Sequence, residues 1–277
     1  MLSLGLDLSE RPARAVVIDE GGEIVARGTG ATGAEAAQSV GGRRKPTRAG
    51  VASADGTGDG ATAIKSITRC TAGAAAIAAE AWLGAARDVR DAICLHIGDE
   101  VYGGLMLGGK PWAGAHGRAG AAAWLALNPV ERQDYRKLGS LAAEVSARGI
   151  ARRLSWRIQA GDRSRVLDNA GGSLDAITGQ HVFDGARAGD GVAISVVRDT
   201  AKYIGMAVAT VAAAIDPEVV IVSGSVAAAD LMLDAVRQEC ARRLPPDEMT
   251  GLRVEFSQLG ADEVAIGAAR LALTAGA

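Results

Sequence analysis

Residues 92–109, AICLHIGDEVYGGLMLGG, decide the fold of this chain. The apolar run 92–97 predicts a buried strand, and 101–107 predicts a second strand after a Gly-Asp-Glu turn. The start of the chain has the same order, because polar turns separate three predicted strands, at 2–8, 14–18 and 23–27. This repeated order of strand and turn predicts two lobes of similar design, each with its own sheet.

The rest of the chain alternates predicted helices with predicted strands. The spacing of apolar residues predicts helices at 72–87, 139–154, 191–215, 227–244 and 261–274. Further strands are predicted at 51–53, 219–222 and 252–256. This alternation is typical of the α/β class, in which helices cover the faces of a sheet.

The composition excludes several classes of protein. Hydrophobic residues make up 48% and charged residues 22% of the 277 residues, so the chain can build a core and is not disordered. A net charge of −2 offers no attraction to nucleic acid or an anionic membrane, and neither is predicted as a partner. The basic run 43–46 is interpreted as a solvated loop. The apolar stretch 203–215 is shorter than the roughly 20 residues of a membrane helix.

Cysteine usage and the first residues predict a location. Cys70, Cys94 and Cys240 lie far apart in the sequence, which argues against a disulfide framework and against a local zinc site. The N-terminal residues contain no basic stretch followed by a long apolar run, so they do not resemble a secretory signal. We therefore expect a cytoplasmic protein.

Four stretches of the sequence carry a resemblance to a known family. They are the opening strand pair at 4–8 and 16–19, the glycine-rich segment at 96–110 and 114–120, the Asp-Pro-Glu element at 215–224, and the C-terminal 259–269. In this order and spacing they resemble the ROK family of sugar kinases and related regulators, within the actin-like ATPase superfamily. Together they extend over nearly the whole chain.

The resemblance implies a fold and partners. The fold would be the two-lobed actin-like ATPase (ribonuclease H-like) α/β fold with a central cleft. Residues 1–89 would form the N-terminal lobe, with a C-terminal helix at about 262–277 packing back on it, and 90–261 the C-terminal lobe. A sugar-like small molecule and a second copy of the chain, as a homodimer, are the expected partners. The 28–70 region is shorter than the family's usual first lobe.

The same resemblance implies a phosphate-binding region for ATP and Mg²⁺. Glycine-rich turns after strands let backbone N–H groups approach phosphate oxygens. Asp7, at the end of the first strand, is in the position of a carboxylate that holds Mg²⁺ through water, although capping its own turn is the alternative role. The residues expected to contact ATP are Asp7, Gly98, Gly103, Gly104, Gly224 and Ser225.

The phosphate region departs from the family pattern in both turns. Ser9, Glu10 and Arg11, followed by Pro12, replace Gly-Gly-Thr, and the second turn carries Asp99 and Glu100 in place of Gly-Thr-Gly. A like-charge contact at about 4 Å costs on the order of 4 kcal/mol at an effective dielectric constant near 20. We therefore expect ATP–Mg²⁺ to bind weakly.

The sugar side departs further. The family's catalytic Asp falls on Ala72, or on Thr71 if the alignment shifts by one residue, and neither side chain is a base at neutral pH. The remaining sugar ligands of the family fall on apolar residues, namely Ala121, Ala122, Ala123, Trp124 and Ala142. His116 matches a position that is usually not a ligand. The family's zinc-binding cysteines are absent from 128–140, so no zinc is expected.

Three hypotheses follow from these departures. We favour a degenerate ROK protein that has lost its catalytic base and acts as a ligand sensor or a structural partner. The alternative is an active sugar or small-molecule kinase, or an ATPase, that uses a relocated carboxylate at Asp55, Asp99 or Glu100. A transcriptional repressor is disfavoured, because the chain starts at the first strand with no helix-turn-helix module before it.

Overall fold

Ten strands form two separate five-stranded sheets in the computed structural model, which describes residues 1–42, 45–60 and 62–275. The first sheet has the order β3-β2-β1-β4-β5. Its two hairpin pairings, β1–β2 and β2–β3, are antiparallel, whereas β1–β4 and β4–β5 are parallel. Its strands are β1 (Leu2–Asp7), β2 (Ala13–Asp19), β3 (Ile24–Gly30), β4 (Arg48–Ser53) and β5 (Ser66–Thr71).

The second sheet repeats this plan with the order β10-β9-β6-β7-β8. The β6–β7 and β7–β8 pairings are antiparallel, and β6–β9 and β9–β10 are parallel. The prediction of two sheets, one begun by 2–27 and the other by 92–107, is confirmed. The strands are β6 (Ala92–Ile97), β7 (Val101–Leu107), β8 (Lys110–Pro111), β9 (Val219–Ser223) and β10 (Arg253–Phe256).

Eleven helices are found among the described residues: α1 (Gly33–Ser39), α2 (Ala72–Leu83), α3 (Gln133–Leu138), α4 (Ser140–Val145), α5 (Ala147–Gln159), α6 (Val166–Asn169), α7 (Gly179–Arg187), α8 (Gly191–Ile215), α9 (Ala229–Arg243), α10 (Pro246–Met249) and α11 (Glu263–Thr274). Helix α11 packs on β1, β4 and α2, and α2 in turn packs on β6 and β7. The last helix of the chain therefore lies against the first sheet. No helix within the described ranges has the length and apolarity that crossing a bilayer requires.

The helix predicted at 139–154 is two helices, α4 and α5. Ser146 separates them in an extended conformation (φ −61°, ψ 157°), and its hydroxyl caps α5 by accepting the backbone N–H of Gly149. Helix α2 ends at Leu83, four residues earlier than predicted, because Gly84 leaves the helical conformation. Helices α1 and α7 and strand β5 were not predicted, since their sequences are polar. Arg43 and Arg44 of the basic run lie outside the described residues.

Glycine allows α11 to approach its neighbours at backbone distance. A side chain at Gly5 of β1 would overlap the carbonyl oxygen of Ala265, and one at Gly50 of β4 would overlap that of Ala268. On the other face of α11, a side chain at Gly267 would overlap the carbonyl oxygen of Ala75 in α2. The first sheet, α11 and α2 are therefore layered with no space for even a methyl group at these three contacts.

Gly267→Ala should destabilise the protein by about 1–3 kcal/mol, because the added methyl group has no space against α2. Gly191→Ala is the matched control, since a Cβ there meets no atom within 4 Å, and its effect should stay within about 0.5 kcal/mol. Urea unfolding followed by circular dichroism measures both. Equal stabilities of the two variants would contradict the close packing of α11.

Candidate active site in the cleft between the sheets

A cleft of about 700 Å³ lies between the two sheets. Its first wall comes from the ends of β4 and β5 and the start of α2. Its second wall comes from the β6–β7 turn, residues 116–124, and the helices that follow. Because the cleft is bounded by elements from both sheets, it is the central cleft that the fold was expected to contain.

The positions onto which the family's catalytic base and sugar ligands fall are only partly brought together. Thr71, Ala121, Ala123, Trp124 and Ala142 line the cleft, and so does Gly103, one of the expected ATP contacts. Ala72 is fully buried and not part of the lining, and Ala122 lines a separate apolar cavity. Of the two positions considered for the catalytic base, the cleft therefore exposes Thr71. Its hydroxyl caps α2 by accepting the backbone N–H of Ala74 at 3.2 Å.

The space between the phosphate turns is filled by a carboxylate. A side chain at Gly98 would overlap Oε1 of Glu10, so the Glu10 side chain lies directly against the β6–β7 turn. A Cβ atom at Gly98 would also lie 3.4 Å from the hydroxyl of Ser225, which is in the turn after β9. Three turns that the sequence predicted as phosphate contacts thus converge, and their common space holds Glu10.

His96, at the end of β6, is the partner of this carboxylate. Its Nε2 lies 3.5 Å from Glu10 Oε1, and its Nδ1 lies 3.0 Å from Oε2 of Glu263 and 3.1 Å from the hydroxyl of Ser223. Its ring, which is 5% exposed, stacks on that of Tyr102 with the centroids 5.1 Å apart. The imidazole therefore bridges the first turn and α11.

Charge explains why this buried histidine is cationic. Burial alone would lower the pKa of His96, but the close contact with the Glu10 carboxylate, together with the hydrogen bond and negative charge of Glu263, outweighs it and raises the pKa to about 10. Burial likewise favours a raised pKa for Glu10, yet the nearby His96 cation and the backbone N–H of Asp99 hold that pKa below its ordinary value. At neutral pH the two side chains form a buried ion pair.

Asp7 fits a capping role better than a metal site. Its Oδ1 accepts the backbone N–H of Ser9 at 2.9 Å, and burial raises the pKa of its carboxyl, which disfavours the ionised form that a metal requires. Over the ranges that the structure describes, no three His, Cys, Asp or Glu side chains converge as a metal ligand set. The role of Asp7 toward Mg²⁺, which would be mediated by water, stays a prediction.

A network of buried carboxyl groups extends behind His96. Glu80 of α2 and Glu263 of α11 are both buried, with Cys94 of β6 beside Glu263 at 3.5 Å. Burial, followed by the charge of Glu263, raises the pKa of Glu80 to about 7. No role for His96, Glu80 or Glu263 is predicted from the sequence. The sequence feature that could have identified them is a charged or polar residue inside an otherwise apolar segment.

Arg132 lies in segment 128–140, in which the family's zinc-binding cysteines are absent, and it contacts several side chains there. Its guanidinium contacts Asp134 at 2.7 Å and the buried Glu144 at 3.0 Å, and lies 4.8 Å above the ring of Tyr135. Tyr135 donates its hydroxyl to the same Glu144 carboxylate. An ion-pair cluster therefore joins α3 to α4 at this place.

Arg132→Met should destabilise the protein by on the order of 3 kcal/mol, because Glu144 is only 3% exposed and would lose its closest cation. Arg136→Met is the matched control, since its partner Glu131 is 65% exposed and the pair contributes at most about 1 kcal/mol. Chemical denaturation of the two variants measures the difference. A similar small effect for both would show that Arg132 does not anchor these helices.

The absence of zinc remains a prediction. Cys70, Cys94 and Cys240 are all free thiols, and they lie on β5, β6 and α9. Elemental analysis of the purified protein should return well below one zinc per chain, because Zn²⁺ sites need three or four converging ligands. One zinc per chain that survives dialysis would overturn the prediction.

Two mixed sheets around a cleft, with turns from both sheets in its walls, define a sugar-kinase-like protein of the actin-like ATPase fold. The ROK family profile matches residues 63–275, and the chain belongs to the ROK family. A ROK glucokinase from Streptomyces griseus, solved with glucose and AMPPNP, superposes with a TM-score of 0.86 at 25% identity over 99% of both chains.

Sequence relatives agree with this assignment. The glucokinase of Halalkalibacterium halodurans is 30% identical over 194 residues, which are 68% of this chain and 58% of that relative. The bifunctional enzyme NanE/NanK of Brucella melitensis is 34% identical over 204 residues, which are 71% of this chain and 34% of that enzyme. The match thus spans less than two thirds of either relative.

Proposed function

We propose that this ROK protein binds a sugar-like small molecule in the cleft and does not transfer a phosphoryl group to it from ATP. One observation carries the proposal: the Glu10 carboxylate occupies the space beside Gly98 that a nucleotide phosphate would need. The protein would act as a ligand sensor or a structural partner, as a dimer in the cytoplasm. Because the Streptomyces griseus relative was solved with glucose, hexoses are the first ligands to test.

The position at the start of α2 supports the loss of catalysis. Transfer to a sugar hydroxyl needs a group that accepts the hydroxyl proton, normally a carboxylate. Thr71 faces the cleft in that place, and its oxygen already accepts a backbone N–H. Ala121 and Ala142, also in the wall, have no polar side-chain atom with which to orient a sugar.

The wall still has features suited to a small ligand. Trp124 lines the cleft and is 58% exposed, so its ring is available for stacking on an apolar sugar face. Arg118, Lys137 and Arg148 also line the cleft and supply hydrogen-bond donors. An aromatic surface with a few polar groups is the usual composition of a small-molecule site.

A relocated carboxylate is the second candidate mechanism, and one observation favours it. Asp55, Asp99 and Glu100 all line the same cleft. Asp55 is a weak proton acceptor, because hydrogen bonds from Thr57 and Ser53 lower its pKa to about 2. Asp99 and Glu100, in the β6–β7 turn, are therefore the carboxylates to substitute first.

An ADP-release assay over glucose, mannose and their N-acetyl derivatives should detect no sugar-dependent turnover, since the base and the phosphate space are both missing. Calorimetry with ATP–Mg²⁺ should detect weak binding or none. Sugar-dependent turnover above about 1 s⁻¹, the low end for kinases, would contradict the proposal. Asp55→Asn, Asp99→Asn and Glu100→Gln would then identify the base as the residue whose substitution removes turnover.

A further inference from the structure

Glu10 and His96 leave polar atoms buried without a hydrogen bond. Among the residues that the structure describes, Oε1 of Glu10, Nε2 of His96 and the hydroxyl of Tyr102 find no hydrogen-bond partner, although Glu10 and His96 are close enough to attract each other as charges. His96 is 5% exposed, and its Nε2 points toward the space that Glu10 fills. Buried polar groups without partners are costly, so their persistence calls for a physical reason.

The surroundings of Glu10 are those of an anion site. The carboxylate lies against the backbone of Gly98, where no side chain intervenes, and close to the Ser225 hydroxyl. The backbone N–H of Asp99 and the His96 cation both stabilise its negative charge. Backbone N–H groups in a turn, a hydroxyl and a buried cation are also the groups that bind phosphate oxygens.

Carboxylates around this site limit how strongly an external anion could bind. Glu263 faces His96 from α11, Asp7 faces it from β1, and Glu100 lies in the adjoining turn beside the stacked Tyr102. A single buried imidazolium is thus shared among several negative groups. A second anion can enter only if the Glu10 carboxylate leaves, because one cation cannot neutralise both.

We propose that Glu10 is an intramolecular occupant of a phosphoryl-binding site, and that its removal opens a site for inorganic phosphate at His96 Nε2, Gly98 and Ser225. The inference rests on the proposed function in one respect, namely that the space between the turns is closed to nucleotide in the native protein. In addition, the Glu10 side chain is what closes the space, and His96 is what would bind phosphate once Glu10 is removed.

The test is a titration of inorganic phosphate into the full chain at pH 7.5, at constant ionic strength, followed by calorimetry. Glu10→Gly, which empties the space, should bind phosphate at least tenfold more tightly than the native protein. Glu10→Gln should not bind phosphate more tightly than the native protein, because the amide still fills the space although it lacks the charge. Adding His96→Gln to Glu10→Gly should abolish the gain, and Glu20→Gly, an exposed substitution outside the site, should leave the native behaviour unchanged.

Each outcome decides the inference. Thermal melting establishes that each variant is folded, and Glu10→Ser replaces Glu10→Gly if the latter is not. Phosphate binding by the native chain as tight as that of Glu10→Gly would refute closure by Glu10. No gain in the folded variant, or a gain that survives loss of His96, would refute the site. Because no sugar or nucleotide is present, these results are independent of the turnover assay.

Discussion

The layering of α11 between the first sheet and α2 is the constraint on which the rest of the structure depends. Gly5, Gly50 and Gly267 bring three backbones together where no side chain fits. Since α2 also packs on β6 and β7, this layer joins the two sheets. A larger side chain at any of these glycines would shift one sheet against the other and change the shape of the cleft.

The same layer determines the electrostatics of the phosphate region. With α11 held in place, Glu263 at its first residue reaches the imidazole of His96 from the side opposite to Glu10. A buried cation between two carboxylates is stable only while both remain, since removal of one partner of a buried pair typically costs about 3–5 kcal/mol. Packing in the core and the position of the Glu10 carboxylate are therefore coupled through one histidine.

In the proposed function, the cleft combines a retained shape with altered chemistry. Its walls come from both sheets, as the fold requires, and Trp124, Arg118 and Lys137 give it the means to hold a small polar ligand. The start of α2 presents a hydroxyl that is already used as a cap, and the phosphate space contains a side chain of the protein itself. Binding of a sugar and transfer of a phosphoryl group depend on different residues, so one can be kept while the other is lost.

The sequence by itself determined the two sheets, their order along the chain and the family, because buried strands and glycine turns are local patterns. It also identified Glu10 as an extra charge in a phosphate turn. It could not divide 139–154 at Ser146, since the break depends on a cap formed in the folded chain. Only the tertiary structure decided that Glu10, His96 and Glu263 meet: they are distant in the sequence, and a pattern of residue types carries no information on which buried charges become partners.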